Sequence, residues 1–294
     1  MVKLEEEMSK RLKTPLRWCG GKSRALKKLD SYIPKNMNNI MEIRDPFLGG
    51  GSFPLYLSKI YPDKKIWVND LYEPLYNYWI CLRDNCEELV DILLKKKQEA
   101  DTEEKSRLLF KLSKNIMNNK DYTSLIRAVA FYIVNKCSFS GLTEKGSFSK
   151  GSSVSNFKES IIKNQKYYSP IIQNWKITNS DYKECMEGDG HTFIYLDPPY
   201  DIKSNVYSNH SHFNHNEFKL WSQKCKCRIL ISYNKKIDNL DNFSFELTYT
   251  MKSDKKYIEN QKKRNEMAIT NYFDYEDTDD EESCGYLRGE HSLM

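Results

Sequence analysis

No two cysteines in this chain stand in a Cys-x-x-Cys pair, although eight are present, at positions 19, 81, 86, 137, 185, 225, 227 and 284. Only Cys225 and Cys227 lie close together. That scatter gives no zinc framework and no disulfide scaffold, so reduced thiols in an intracellular protein are expected. Histidine is scarce, with five residues. Three of them, His210, His212 and His215, fall in "SNHSHFNHNEF". No second set of ligands adjoins them, so the stretch reads as a polar loop and no metal is expected. Long apolar runs are missing too. The longest, "AVAFYIV", is far short of the roughly 20 residues that span a bilayer. The opening "MVKLEEEMSKRLK" is too charged for a signal peptide. These features describe a soluble chain with no membrane partner.

Charge of one sign is unevenly spread. The net charge is +5 over 294 residues. Between Asp274 and Glu290 stand eight acids and one base, a local net of −7, which leaves the remaining chain at +12. Residues 274–294 read as an acidic, disordered tail. A body that basic suits a polyanionic partner, because lysine and arginine displace counterions from phosphates. The length fits one large domain or a core with a smaller lobe.

Along the chain, strands alternate with helices. "IMEIRDPFLGGGSFPLYLSKIY" runs from a short apolar strand through three glycines into a helix. "KKIWVND" is a second strand ending at Asp70. "TFIYLDPPY" is a third and "CRILISYN" a fourth, with the helical "FKLWSQ" between them. "FSFELTYTM" and "EMAITNYF" form a closing antiparallel pair. Alternation of this kind predicts an α/β fold, a doubly wound, mostly parallel sheet with a terminal β-hairpin. Residues 75–179 interrupt the rhythm. They hold charged helical stretches, the amphipathic "SLIRAVAFYIVNKC", and then the Ser-, Gly- and Lys-rich "SFSGLTEKGSFSKGSSVSNFK". They read as an inserted region, and residues 14–74 with 180–273 as the catalytic domain.

Three stretches carry chemistry. "GGKS" lacks the earlier glycine of a phosphate-binding loop, since Leu16 stands in its place. Gly20 and Gly21 still let the backbone approach a ligand beside Trp18 and Lys22. "DPFLGGGS" follows the first strand. Gly49 and Gly51 begin a dinucleotide fingerprint, but Pro54 occupies its third glycine position. Asp70, about twenty residues on, is placed to accept ribose hydroxyls. The pair points to an adenosine-containing cofactor, with room for S-adenosyl-L-methionine, which has no pyrophosphate. Finally, "TFIYLDPPYD" stops a buried strand at Asp197, because proline cannot extend the ladder. The Asp197 carboxylate and a proline-segment carbonyl could both accept hydrogen bonds from an exocyclic amine. That favours the pyramidal nitrogen that develops as it attacks a methyl group. Tyr200 would stack on the base, which must leave its duplex to enter.

These motifs, in this order, resemble the Dam-type (D12 class, alpha-group) DNA adenine-N6 methyltransferases from about Thr14 to Phe273. The resemblance implies a Rossmann-like methyltransferase fold and the cofactor S-adenosyl-L-methionine. It implies that Trp18 and Lys22 of "RWCGGK", Phe47, Gly49 and Gly51 of "DPFLGGGS", and Asp70 contact that cofactor. Asp181 and Tyr182 of "TNSDYKE" would lie near its adenine. Asp197, Pro198, Pro199 and Tyr200 would form the catalytic signature, with Asp197 also touching the cofactor. "RAVAFYIVNKCSFSGL" and "GSFSKG" resemble the helix and loop used on double-stranded DNA, so Asn135, Lys136, Ser138, Ser140, Lys145 and Lys150 are expected to face the duplex. Asp45 stands where many relatives have Glu. The loop "TEKGSFSKGSSVSNF" departs from the Dam pattern in length and residues. Alternatives are cytosine N4 or RNA methylation, and a catalytically inactive nucleic-acid-binding module. A restriction endonuclease sharing the site is a possible partner.

Overall fold

The computed structural model describes residues 14–200, 213–251 and 260–272. The acidic stretch 274–294, His210 and His212 lie outside them. Seven strands form one sheet: β1 (Glu42–Asp45), β2 (Lys65–Asn69), β3 (Trp175–Thr178), β4 (Thr192–Leu196), β5 (Arg228–Tyr233), β6 (Asp241–Met251) and β7 (Asn260–Thr270). The order is β3-β2-β1-β4-β5-β7-β6. Pairs from β3 to β5 are parallel, while β7 runs antiparallel to both β5 and β6. The predicted doubly wound sheet with a terminal hairpin is present.

Strand order reverses between β1 and β4, which pair through Glu42↔Thr192 to Arg44↔Ile194. A crevice opens outside the carboxyl ends at such a reversal. Asp45 and Asp197, the residues at those two ends, therefore converge from sequence positions 152 apart. All five residues of β4 are buried. Its apolar run is what a strand covered on both faces requires. Tyr195 stacks on Phe53 at 3.9 Å, tying β4 to the helix Ser52–Ile60. Pro54 is tolerated there because it sits in the first turn, where its missing N–H is not needed.

The sequence reading misses one strand. Residues 175–178, counted there in the insertion, form the edge of the sheet against β2. Four residues with alternating burial, after a long helical stretch, carry little strand signal of their own. Trp175 packs on Trp79 at 5.7 Å and hydrogen-bonds Ser58, so the strand is held by side chains as well as by its ladder.

The helix Ser124–Cys137 also differs from its expected amphipathic character. Every residue from Arg127 to Cys137 is buried. It lies beneath the helices Glu73–Asp84 and Glu103–Ile116 and forms the centre of the helical region. Its polar residues therefore point into protein. Among the described residues no helix is long and apolar enough to cross a membrane, and no group of three or more His, Cys, Asp or Glu could hold a metal ion.

Candidate active site

A cavity of about 530 Å³ lies at the β1–β4 reversal. Its floor is the turn after β1. Gly49 and Gly51 adopt φ of +47° and +69°, a backbone conformation that side chains rarely take. A Cβ at Gly49 would also lie 2.6 Å from the Trp18 indole nitrogen, and one at Gly51 would lie 2.7 Å from Trp79. The turn thus has no side chains because two tryptophans press on it. The Trp79 Nε1 donates to the Gly49 carbonyl at 3.2 Å.

Asp70 closes this turn. Its carboxylate accepts the Gly49 N–H and the Tyr72 N–H, each at 2.9 Å. Each oxygen keeps a second lone pair, and Asp70 borders the cavity, where a diol could donate. Burial raises the Asp70 pKa to about 6, and the two N–H donors hold it from rising further. Asp45 is more deeply buried. Burial first, then the charges of Asp197 and Asp70, raise its carboxyl well above the ordinary range, opposed by the Phe47 N–H. Three acids, Asp45, Asp70 and Asp197, thus meet at adjacent strand ends around the cavity.

Aromatic rings form one wall. Phe47 lies 5.2 Å from Tyr182 and 5.8 Å from Phe213, and Tyr182 lies 5.3 Å from Phe213. Asp181 borders the cavity and caps its turn by accepting the Lys183 N–H at 2.9 Å. Phe213 and Asn69 are missed by sequence reading. Asn69, fully buried at the end of β2, donates to the carbonyls of Pro46 and Ser180 and accepts the Ser180 N–H. It fastens the exits of β1, β2 and β3 together. Asparagine closing a buried strand was the available signal.

The Asp-Pro-Pro-Tyr segment stands opposite. Asp197 and Tyr200 border the cavity, with Pro198 and Pro199 between them. Lys22 places its ammonium 2.6 Å and 2.7 Å from the two Asp197 oxygens and 3.1 Å from the Gly20 carbonyl. The same nitrogen lies 5.1 Å from the Tyr200 ring centroid. Gly20 takes φ of +79°. Gly21 donates its N–H to the Trp18 carbonyl at 3.2 Å, which turns the segment so that Trp18 and Lys22 face the cavity together. The Tyr200 hydroxyl donates to Glu266 on β7. All the residues expected at the cofactor and catalytic sites thus border one cavity.

The residues expected to face a duplex divide into two groups. Asn135, Lys136 and Ser138 are buried, at 0%, 4% and 0% exposure. Asn135 accepts the Arg17 N–H at 3.0 Å and donates to the carbonyls of Arg17 and Gly141. It joins the segment before Trp18 to the loop after the helix, where Gly141 at φ +75° leaves no room for a Cβ beside Arg17. Burial, and then the charge of Arg17, pushes Lys136 down to about 7. A lysine so placed cannot neutralise a phosphate in this conformation. Ser140, Lys145 and Lys150 are exposed. Ser140 sits at φ +54° in the turn, and Lys150 pairs with Glu103 at 2.7 Å. The expected loop is a short antiparallel turn, with a Ser138–Phe148 bridge and the Phe139 N–H donated to the Ser147 carbonyl. Gly141, Leu142, Thr143 and Glu144 line the cavity, so this loop adjoins the site.

Comparison with known proteins agrees with this geometry. The family model for D12 class N6 adenine-specific DNA methyltransferases matches residues 18–266. The chain is 28% identical over 218 residues to the type II methyltransferase M.MjaIII of Methanocaldococcus jannaschii, covering 69% of this chain and 74% of that protein. It is 27% identical over 209 residues to the type II methyltransferase M1.LlaDCHI of Lactococcus lactis subsp. cremoris, covering 67% and 69%. A DNA N-6-adenine-methyltransferase of Escherichia phage P1 is 24% identical over 212 residues, which are 71% of this chain but 26% of that longer protein. With most of its length and its whole strand-end cavity inside the matched region, the chain belongs to the D12 class N6 adenine-specific DNA methyltransferases.

Proposed function

We propose that this protein transfers a methyl group from S-adenosyl-L-methionine to N6 of adenine in a short duplex sequence, with the target base extruded into the cavity. One observation supports the reading: the Asp197 carboxylate, bordering the cavity beside the Tyr200 ring, is placed to accept hydrogen bonds from a nitrogen. The Lys22 ammonium touches both oxygens of Asp197 beside the Tyr200 ring. An exocyclic amine taking that place would meet the same carboxylate and the same aromatic face.

The cavity suits the cofactor through its donor set. The side-chain-free turn at Gly49 and Gly51, the acceptor pair of Asp70, and the rings of Phe47 and Tyr182 fit a flat base and a diol. Asp181 adjoins Tyr182 at that wall. When bound, S-adenosyl-L-methionine supplies an electrophilic methyl group on a positively charged sulfur. The protein's own residues do the rest. Asp197 accepts one amine hydrogen and the carbonyl of the Pro198–Pro199 segment a second. Both contacts strengthen as the nitrogen becomes pyramidal and gains positive charge. Tyr200 holds the plane of the base, which fixes the direction of attack. The released proton passes to water after transfer, so no histidine base is needed.

The exposed Ser140, Lys145 and Lys150 are the duplex-facing positions of the helical region that precedes β3. Residues 14–74 and 180–273, together with the edge strand Trp175–Thr178, carry the transfer. A restriction endonuclease sharing the recognition sequence is a candidate partner, and the relatives named type II methyltransferases are consistent with it. The test is transfer of labelled methyl to unmethylated duplex DNA, with RNA and protein as controls. Labelled adenine in DNA supports the reading. Binding to DNA without transfer would identify an inactive module instead.

A further inference from the structure

We infer that Glu266 is a positioning residue for the reaction, fixing the ring of Tyr200 in the plane that receives the target base. The inference rests on the reading that Tyr200 faces that base. Glu266 lies on β7, opposite Phe245 of β6, 66 residues from the signature it serves and on the antiparallel part of the sheet. It is 3% exposed, in line with Ala268 and Thr270, which are fully buried on the same side of the strand. An acid on such a face is costly unless it has a partner. The Tyr200 hydroxyl is one.

The geometry gives this contact a specific effect. A tyrosine hydroxyl lies on the long axis of its ring, so a hydrogen bond there fixes where the far end of the ring rests but not the rotation about that axis. Tyr233 supplies the second constraint. Its ring meets Tyr200 edge-on, with centroids 6.1 Å apart and planes at 83°. Tyr233 is itself held by the His215 Nδ1 at 2.6 Å. Glu266 and Tyr233 together leave one orientation for the Tyr200 ring, beside the Asp197 carboxylate. Burial, then the charges of Asp197 and Glu266, raise the Tyr200 hydroxyl far above its ordinary pKa, so it remains a donor at any working pH. Lys22 lies over the ring, on the cavity side. The contact with Glu266 therefore acts at the far end of a ring whose face borders the reaction site.

The test compares Glu266→Met, which keeps the volume, with Glu266→Gln, which keeps an acceptor. Tyr200→Phe and the double variant Y200F/E266M complete a cycle, and Tyr200→Ala is the reference. The assay is labelled methyl transfer from S-adenosyl-L-methionine to unmethylated plasmid DNA, with active enzyme counted by a single-turnover burst. The expected result is an E266M enzyme whose kcat/KM for DNA falls about 10- to 100-fold, in the range of lost aromatic stacking. Its KM for the cofactor should stay within about twofold. E266Q should remain within about threefold of wild type, and Y200F/E266M should be no worse than either single variant. A merely structural Glu266 would lower the active fraction but leave the kcat/KM for DNA of the surviving enzyme unchanged, and that outcome overturns the inference. If E266M does not fold, Y200F decides: activity within threefold of wild type overturns the inference. Y200A impaired beside an unaffected E266M removes the role of Glu266 alone. Y200A unaffected removes the reading of Tyr200 itself.

Discussion

Lys22 holds Asp197 through both carboxylate oxygens, at 2.6 Å and 2.7 Å, and the two side chains are only 7% and 22% exposed. A pair this withdrawn from water fixes the direction of the Asp197 carboxylate, the group proposed to receive the target amine. Breaking it leaves an uncompensated charge. Lys22→Met is expected to cost about 3 kcal/mol of folding stability, measured by denaturant midpoint. Lys22→Met with Asp197→Asn removes both charges and should recover much of that stability without recovering activity. A single variant as stable as wild type would show that the pair does not stabilise the fold.

Asp70 sets a pH dependence. Its pKa in the free protein is about 6. A diol donating to it and a nearby cation both favour the ionised form, so the bound protein has a lower value. Cofactor affinity is therefore constant above pH about 6 and weakens as pH falls through that value. The slope approaches tenfold per unit. Asp70→Asn should bind more weakly at pH 7.5 and show no such slope. Calorimetric titration between pH 5 and 8 measures it, and a wild-type profile as flat as the variant's would contradict the role.

Asn135 joins two parts of the site that are more than a hundred residues apart in sequence. Asn135→Ala leaves the Arg17 amide and carbonyl and the Gly141 carbonyl without their buried partner. The expected loss is about 2–4 kcal/mol of stability. Cofactor affinity should weaken too, because Trp18 follows Arg17 directly. Chemical denaturation and cofactor titration of the same variant check both outcomes. Full stability would mean that the contact is dispensable.

Lys145 and Lys150 are exposed, and the Lys150–Glu103 pair is an exposed one of small energetic weight. Replacing both lysines by alanine should leave stability within about 0.5 kcal/mol. DNA affinity should fall, and the slope of log K against log salt should shrink by about 1 to 2. Gel-shift titration at several salt concentrations reads the slope directly. An unchanged slope would remove these lysines from the interface.

The sheet was readable from sequence where residues carried two signals at once. β4 combines a wholly apolar run with an Asp-Pro-Pro stop. β1 combines a short strand with glycines that the structure shows pressed against Trp18 and Trp79. Where one signal stood alone, reading failed. "WKIT" has only four residues and an exposed alternate face, and its identity as β3 depends on the Trp79 and Ser58 contacts. "RAVAFYIVNKC" places Asn135 and Lys136 at its end as if on a polar face. Neighbouring helices cover all sides of that helix, which no local pattern encodes. Glu266 was invisible for the same reason, since its partner Tyr200 comes from a distant strand end.

Asp197 is proposed to receive the amino group of an extruded adenine. Single-turnover methyl transfer by Asp197→Asn, at saturating S-adenosyl-L-methionine and unmethylated plasmid DNA, tests it most directly when paired with calorimetric cofactor binding. The expected rate is about 1,000-fold or more below wild type, as for loss of a preorganised transition-state contact, with cofactor affinity within about tenfold. A rate near that of wild type, or a loss explained wholly by absent cofactor binding, would contradict it.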